Sequence, residues 1–362
     1  LNITEMKNLG LHPGFVEEAA LYPGLFVGRV VSQHRDLYRV ALEQGDVQAE
    51  VSGRFLYGAV FLSDYPAVGD FVMLDRNDDA AGNAIIHQVL TRKSAFVRKA
   101  AGTSNDEQVI AANIDTVFIC MSLNANFNLR RVERYLGIAW DSGAVPVIVL
   151  TKADLCEDLE TRLAEIGSVA CGADVIVTSS LTEGGCATVR GYLGEGKTIA
   201  FIGSSGVGKS TLVNRLLGGD VIRTADIRSD GRGRHTTTRR ELFVLPGGGV
   251  VIDTPGMREL GIESADLART FSEIDELAAQ CRFADCTHTG EPGCAVRRAI
   301  EDGRLAQKRL DSYLKLKKEA SYEGLNSRQR ENEKISAMFA EVGGIKHARR
   351  FAKEKNRQKR GN

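Results

Sequence analysis

The chain has 362 residues, 43% of them hydrophobic and 26% charged, with 38 Gly and 7 Pro. That is too long for one typical core and ordinary in hydrophobic content, which excludes a disordered or collagen-like chain and predicts two or three globular units. Net charge is zero, but from Arg304 to Asn362 there are 17 Lys and Arg against 7 Asp and Glu, so the end of the chain is basic and the rest acidic; such a tail suits a polyanionic partner.

Residues 1–20 read as a leader with a weak helical pattern in "GFVEEAALY". The first ten, "LNITEMKNLG", lack the basic flank and apolar core of a signal peptide. With no apolar run of about 18 residues and an odd 7 Cys, the expectation is a cytoplasmic protein away from membranes and without a disulfide framework. Between 21 and 97, five alternating runs ("LFVGRVVSQ", "LYRVALEQ", "DVQAEVSG", "DFVMLDR", "AIIHQVLTR") are punctuated by Gly, Asp and Asn. Five short strands at this spacing predict a small closed barrel of the OB type. From 98 to 262 the texture becomes alternating strand and helix. "DTVFICMSL", "VPVIVL", "DVIVTSS", "KTIAFIG", "ELFVLP" and "GVVIDTPG" read as strands, several apolar throughout as central parallel strands are. The expectation is a doubly wound α/β domain. Residues 263–362 read as a polar helical region with a Cys/His-rich loop and the basic tail.

Five patterns point to nucleotide chemistry. "GSSGVGKS" follows an apolar strand and opens a helix, so it reads as a phosphate loop formed by Gly203, Ser204, Ser205, Gly206, Val207, Gly208, Lys209, Ser210 and the following Thr211. Glycines let consecutive N–H groups wrap the phosphates, Lys209 bridges the β- and γ-phosphates, and the Ser210 hydroxyl ligates Mg²⁺. "DTPG" ends a strand downstream, placing Asp253 to hold Mg²⁺ through water and the Gly256 N–H to meet the γ-phosphate. The intervening "SDGRGRHTTTRR" holds three threonines, of which Thr237 is the expected second Mg²⁺ ligand. Upstream, "TKAD" offers Asp154 as acceptor for the two guanine donors, with the Lys152 stem along the base. "TSS" brings Ser179, placed to give a backbone N–H to the guanine oxygen.

The order of these elements, base motif first and phosphate loop later, resembles the circularly permuted GTPases. With a barrel before them and a Cys/His module behind, the chain is similar to the small-ribosomal-subunit-dependent RsgA (YjeQ, EngC) family, from about Pro23 to the tail. "GSSGVGKS", "GRGRHTTT", "DTPGMRE" and the Cys/His loop carry most of that resemblance. It implies a GTPase of late small-subunit maturation, stimulated by the subunit and using GTP and GDP with Mg²⁺. The barrel and basic end would contact rRNA, and the protein would be monomeric. It also implies that His235 takes over the water-orienting work of the Gln usual after D-x-x-G, where this chain has Met257. One departure is Thr151, where GTPases most often carry Asn. A hydroxyl cannot reproduce all of the amide's contacts, which lowers the expected affinity and leaves selectivity to Asp154. The alternatives are a GTP-gated adaptor and a regulatory RNA-binding protein, both with negligible hydrolysis.

"CRFADCTHTGEPGC" offers Cys281, Cys286, His288 and Cys294, a closed set of four soft ligands that suits one structural Zn²⁺. Cys120, Cys156, Cys171 and Cys186 are expected to be packing residues. Because "DTPG" now runs directly into this module, a γ-phosphate-dependent movement there is expected to pull on it.

Overall fold

A computed structural model describes residues 3–78, 80–99, 107–124, 127–179, 186–222, 240–253 and 270–321. Two short helices, α1 (Ile3–Asn8) and α2 (Pro13–Ala19), precede the barrel strands β1 (Phe26–His34), β2 (Leu37–Leu42) and β3 (Gly45–Val51). Helix α3 (Gly53–Gly58) leads to β4 (Phe71–Leu74) and β5 (Ala84–Val89). All five expected barrel strands are present. They close in the order β1-β2-β3-β5-β4, with β4 returning to β1 through pairs from Phe26–Leu74 to Arg29–Phe71. Alternation does the sorting: in β3, Val47 and Ala49 point inward while Asp46, Gln48 and Glu50 are exposed. The leader is part of this packing, since Met6, Leu9 and Phe15 are buried and the Phe15 ring lies 4.4 Å from that of Phe71.

An antiparallel hairpin follows, β6 (Ala95–Lys99) with β7 (Glu107–Ala112), forming a two-stranded sheet of its own. It was not among the expected strands.

The α/β unit comprises β8 (Thr116–Ser122), α4 (Leu129–Asp141), β9 (Val145–Thr151), α5 (Leu159–Gly167), β10 (Asp174–Val177), α6 (Ala187–Arg190), β11 (Thr198–Ile202), α7 (Lys209–Leu217), β12 (Glu241–Val244) and β13 (Val250–Asp253). Asn128 caps α4 by accepting from the Arg131 N–H at 3.1 Å, and Asp158 caps α5 in the same way. In the sheet the order is β10-β9-β8-β11-β13-β12, all parallel except β12. Both faces are covered, which is why the strands are apolar throughout. Phe118, Cys120, Val147 and Val149 pack on one side with α7, while Ile119, Met121, Ile148 and Leu150 pack on the other with α4.

From β8 the chain steps outward to β9 and β10, then returns to β11 and steps the other way. The topological switch point therefore lies between β8 and β11, where doubly wound sheets bind their ligands. β12 also pairs with β1 of the barrel (Ser32 opposite Glu241), so barrel and α/β unit share one continuous sheet. Three further helices, α8 (Ser272–Ala278), α9 (Ala295–Glu301) and α10 (Gln307–Ser321), enclose a separate core of Phe271, Ile274, Val296, Leu310 and Tyr313. No helix among the described residues is long and apolar enough to cross a membrane.

Candidate nucleotide site and metal centre

The carboxyl ends of β8, β9, β11 and β13 line up, and the motifs hang from them. Ser122 lies opposite Thr151, and Ile202, just before the phosphate loop, lies opposite Ile119. The loop leaves β11 at Gly203, whose φ is 143°. A Cβ there would lie 2.5 Å from the Cys120 carbonyl oxygen, so only glycine permits this approach to the neighbouring strand. Val207 is fully buried and anchors the middle of the loop. Gly208, at φ 98°, turns the chain into α7, which opens at Lys209 with Ser210 and Thr211 in its first turn. The Lys209 Nζ donates to the carbonyls of Gly203 and Ser204, both at 2.7 Å, spanning the loop from inside.

On the base side, β9 ends at Thr151, and Lys152 follows in the left-handed region at φ 58°. The Ser179 hydroxyl donates to the Asp154 carboxylate at 2.5 Å, holding that otherwise exposed group in place. The Thr151 hydroxyl is buried and donates to the Val207 carbonyl at 2.6 Å. It thus ties the base strand to the phosphate loop. Asp253 ends β13 half-buried, one strand away from the loop.

In the C-terminal module, Cys281, Cys286, His288 and Cys294 converge, their ligand atoms all within 4.8 Å of one another. The Cys281 Sγ is 3.9 Å from the Cys294 Sγ and 3.7 Å from the His288 Nδ1, which is 3.5 Å from the Cys294 Sγ. Bonds of about 2.3 Å to sulfur give tetrahedron edges of about 3.8 Å, so these spacings fit a zinc ion at the centre. Cys294 has a second task, since its sulfur accepts from the Arg297 N–H at the start of α9. Between the ligands, the Glu291 carboxylate accepts from the Thr287 hydroxyl and from the N–H groups of Thr287, Thr289 and Gly290. These bonds, that from the Thr287 hydroxyl foremost, hold the acid well below the usual carboxylate range.

The module is bolted to the α/β unit by Arg309 of α10. Its guanidinium donates to Glu133 of α4 and to Glu273 of α8, each at 2.6 Å, and to the Thr270 carbonyl at 2.5 Å. It also lies 4.2 Å from the centroid of the Phe271 ring. Cys171 joins this cluster: its thiol donates to the Thr270 carbonyl at 2.9 Å and accepts from Arg309 at 3.3 Å.

The chain matches the family profile described as RsgA GTPase over residues 89–263. It is 54% identical over 327 residues to the small ribosomal subunit biogenesis GTPase RsgA 2 of Lactiplantibacillus plantarum, covering 90% of this chain and 92% of that protein. The chain belongs to the RsgA GTPase family. An RsgA of Methanosarcina acetivorans, also named a small ribosomal subunit biogenesis GTPase, is 45% identical over 86% of this chain and 85% of its own. Among solved structures, YjeQ from Thermotoga maritima superposes with a TM-score of 0.61 at 28% identity, covering 83% of this chain and 100% of that one. YloQ, described as a circularly permuted GTPase, gives 0.57 at 26% identity over 84% and 98%.

The barrel, the permuted GTPase fold of the RsgA family and the four-ligand module all stand as expected. Thr151, Lys152, Asp154, Ser179, the loop from Gly203 to Thr211 and Asp253 gather at one end of the sheet. His235, Thr237 and Gly256 lie outside the described residues, as does the basic tail beyond 321. Of the four dispersed cysteines, Cys120 and Cys186 are buried packing residues and Cys156 packs at the edge of the core. Cys171 is a hydrogen-bonding partner at the module junction instead. The sequence reading missed Arg131, Glu133 and Arg309, because charged residues within helices carry no motif that points to a distant partner.

Proposed function

We propose that this protein is a GTP hydrolase that acts in small ribosomal subunit biogenesis and converts GTP to GDP and phosphate. One observation carries the reading. The base motif, the phosphate loop and Asp253 meet at the switch point of a permuted sheet, in a chain 54% identical to a protein named for that activity.

The residues divide the work by position. Asp154, steadied by Ser179, accepts from the two guanine donors, and adenine offers neither. The Lys152 stem packs along the base. Backbone N–H groups from Gly203 to Ser210 cradle the phosphates, and Lys209 exchanges its two carbonyl partners for the β- and γ-phosphate oxygens. Ser210 at the start of α7 and Asp253 at the end of β13 are hard oxygen donors, as Mg²⁺ requires. Ser210 and Thr237 would hold the ion directly and Asp253 through water. The chemistry the ion would supply when bound is charge neutralisation on the phosphates as the bond breaks. His235 would orient the attacking water on a loop that the subunit fixes, and the Gly256 N–H would meet the γ-phosphate. Cys281, Cys286, His288 and Cys294 would hold one structural Zn²⁺. The barrel and the basic end would meet rRNA through phosphates and shape.

GTP turnover measured alone, with purified small subunits and with large subunits, at stated salt, tests this reading. Slow intrinsic hydrolysis and stimulation confined to the small subunit are expected; no hydrolysis under any condition would overturn it. His235→Ala should abolish the stimulation while leaving nucleotide binding intact, and an unchanged stimulated rate removes His235 from the mechanism.

A further inference from the structure

Helix α4 starts beside the phosphate loop, and its third residue reaches into it. The Arg131 guanidinium donates to the Ser204 hydroxyl at 3.0 Å. Its backbone is fixed where it stands, because the Arg131 N–H is held by the Asn128 cap. Ser204 is therefore gripped from two sides, by Arg131 on its hydroxyl and by Lys209 on its carbonyl. The two grips differ in what happens when a nucleotide enters. Lys209 has to leave the carbonyls of Gly203 and Ser204 to reach phosphate oxygens, and the entrance of the loop then loses its inner brace. Gly203, Gly206 and Gly208 all have positive φ, so the loop between them has much backbone freedom to lose on binding. The bond from Arg131 uses the Ser204 hydroxyl, a different atom from the carbonyl that Lys209 holds, so the exchange of Lys209 does not require it to break.

We propose that Arg131 is a positioning residue of the nucleotide site, which holds the entrance of the phosphate loop through Ser204 while Lys209 changes partners. The proposal rests on the reading of this site as one for guanine nucleotides. A brace of this kind preorganises the loop for the phosphates common to GDP and GTP. Its loss is felt in binding of both, and little in the chemical step.

The test uses the full chain, fluorescent GDP and a fluorescent non-hydrolysable GTP analogue. Arg131→Ala is expected to raise Kd for both nucleotides about tenfold, the range of one charge-assisted hydrogen bond. KM for GTP should rise in parallel, with kcat at saturation within about twofold of wild type. Ser204→Ala should reproduce the effect, and the double variant should be no worse than Arg131→Ala, since both remove one bond. Arg131→Lys, which keeps a donor and the charge, should recover Kd to within about threefold. Arg131→Ala binding as wild type does, a loss confined to kcat, or additive losses in the double variant would each overturn the proposal. Should Arg131→Ala fail to fold, Ser204→Ala alone decides, because it removes only a hydroxyl. A wild-type chain that binds neither fluorescent nucleotide would instead remove the guanine nucleotide reading itself.

Discussion

The Thr151 hydroxyl donates to the Val207 carbonyl at 2.6 Å, joining the last residue of β9 to the middle of the phosphate loop. Both groups are buried, so removing the donor strands an acceptor away from water. Thr151→Val keeps the shape and loses the bond, which costs about 1–3 kcal/mol. The expected result is about tenfold weaker binding of GDP and GTP, with the preference for GTP over ATP intact because Asp154 is untouched. Titration with fluorescent nucleotides checks this, and Thr151→Ser, which retains the donor, should bind nearly as wild type does.

Arg309 and Glu133 form an ion pair from which water is almost excluded, with side chains 7% and 2% exposed. Truncating one partner leaves the other charge buried and unpaired. Arg309→Met should therefore destabilise the docked C-terminal module by about 3–5 kcal/mol. Adding Glu133→Gln should recover part of that loss by removing the stranded charge. Urea unfolding of both variants measures the difference, and a single variant as stable as wild type would mean that the junction is held elsewhere.

One equivalent of zinc per chain is expected by elemental analysis, and the four ligands should not be equal. Cys294 is buried in the module core and caps α9, whereas Cys286 is half-buried at the rim. Cys294→Ser should lose zinc and expose the 270–321 region to protease, while Cys286→Ser should lose zinc with less damage to the helices. Nucleotide affinity should survive in both, since among the described residues the loop at 203–211 shares no core residue with the module.

Stability should fall in alkali. Burial under the phosphate loop pushes the Cys120 thiol from its ordinary 9.0 up to about 12. The folded state keeps a proton that the unfolded chain releases above 9.0, so stability is lost as pH rises between these values. Between about pH 8 and pH 10 this amounts to about 1 kcal/mol for one group. Cys120→Ala starts from a lower stability but should lose correspondingly less over that interval, as urea midpoints at the two pH values would reveal.

The fold was legible where chemistry repeats along the chain. Five alternating runs gave the barrel, and apolar strands ending in Gly203, Asp253 and "TKAD" gave the sheet and its ligand end. The hairpin of β6 and β7 was not legible. Its first strand, "AFVRK", is short and lacks a tight turn signal before its partner begins at Glu107. Pairings that depend on tertiary approach were equally silent. The bonds of Thr151 to Val207, Arg131 to Ser204 and Arg309 to Glu133 span 56, 73 and 176 residues, and no local pattern encodes such a meeting. The Thr151 case also shows a limit of motif reasoning. The motif marks Thr151 as a departure from Asn, but its bond to the Val207 carbonyl is seen only in the fold.

The strand order also bears on how the chain is made. The barrel completes its hydrogen bonding by Val89, and β8, β9 and β10 can pair as soon as they emerge. The inner edge of β8 then faces no neighbour until β11 arrives near residue 198, and the gap to the barrel is filled only when β12 and β13 have been synthesised. In an unpermuted arrangement the phosphate-loop strand would be made first, and the others would add to it. Here it is inserted late, between two preformed halves. During translation the nascent protein carries an open apolar strand edge for some eighty residues from Thr116 to Thr198, the interval in which a chaperone has most to offer it.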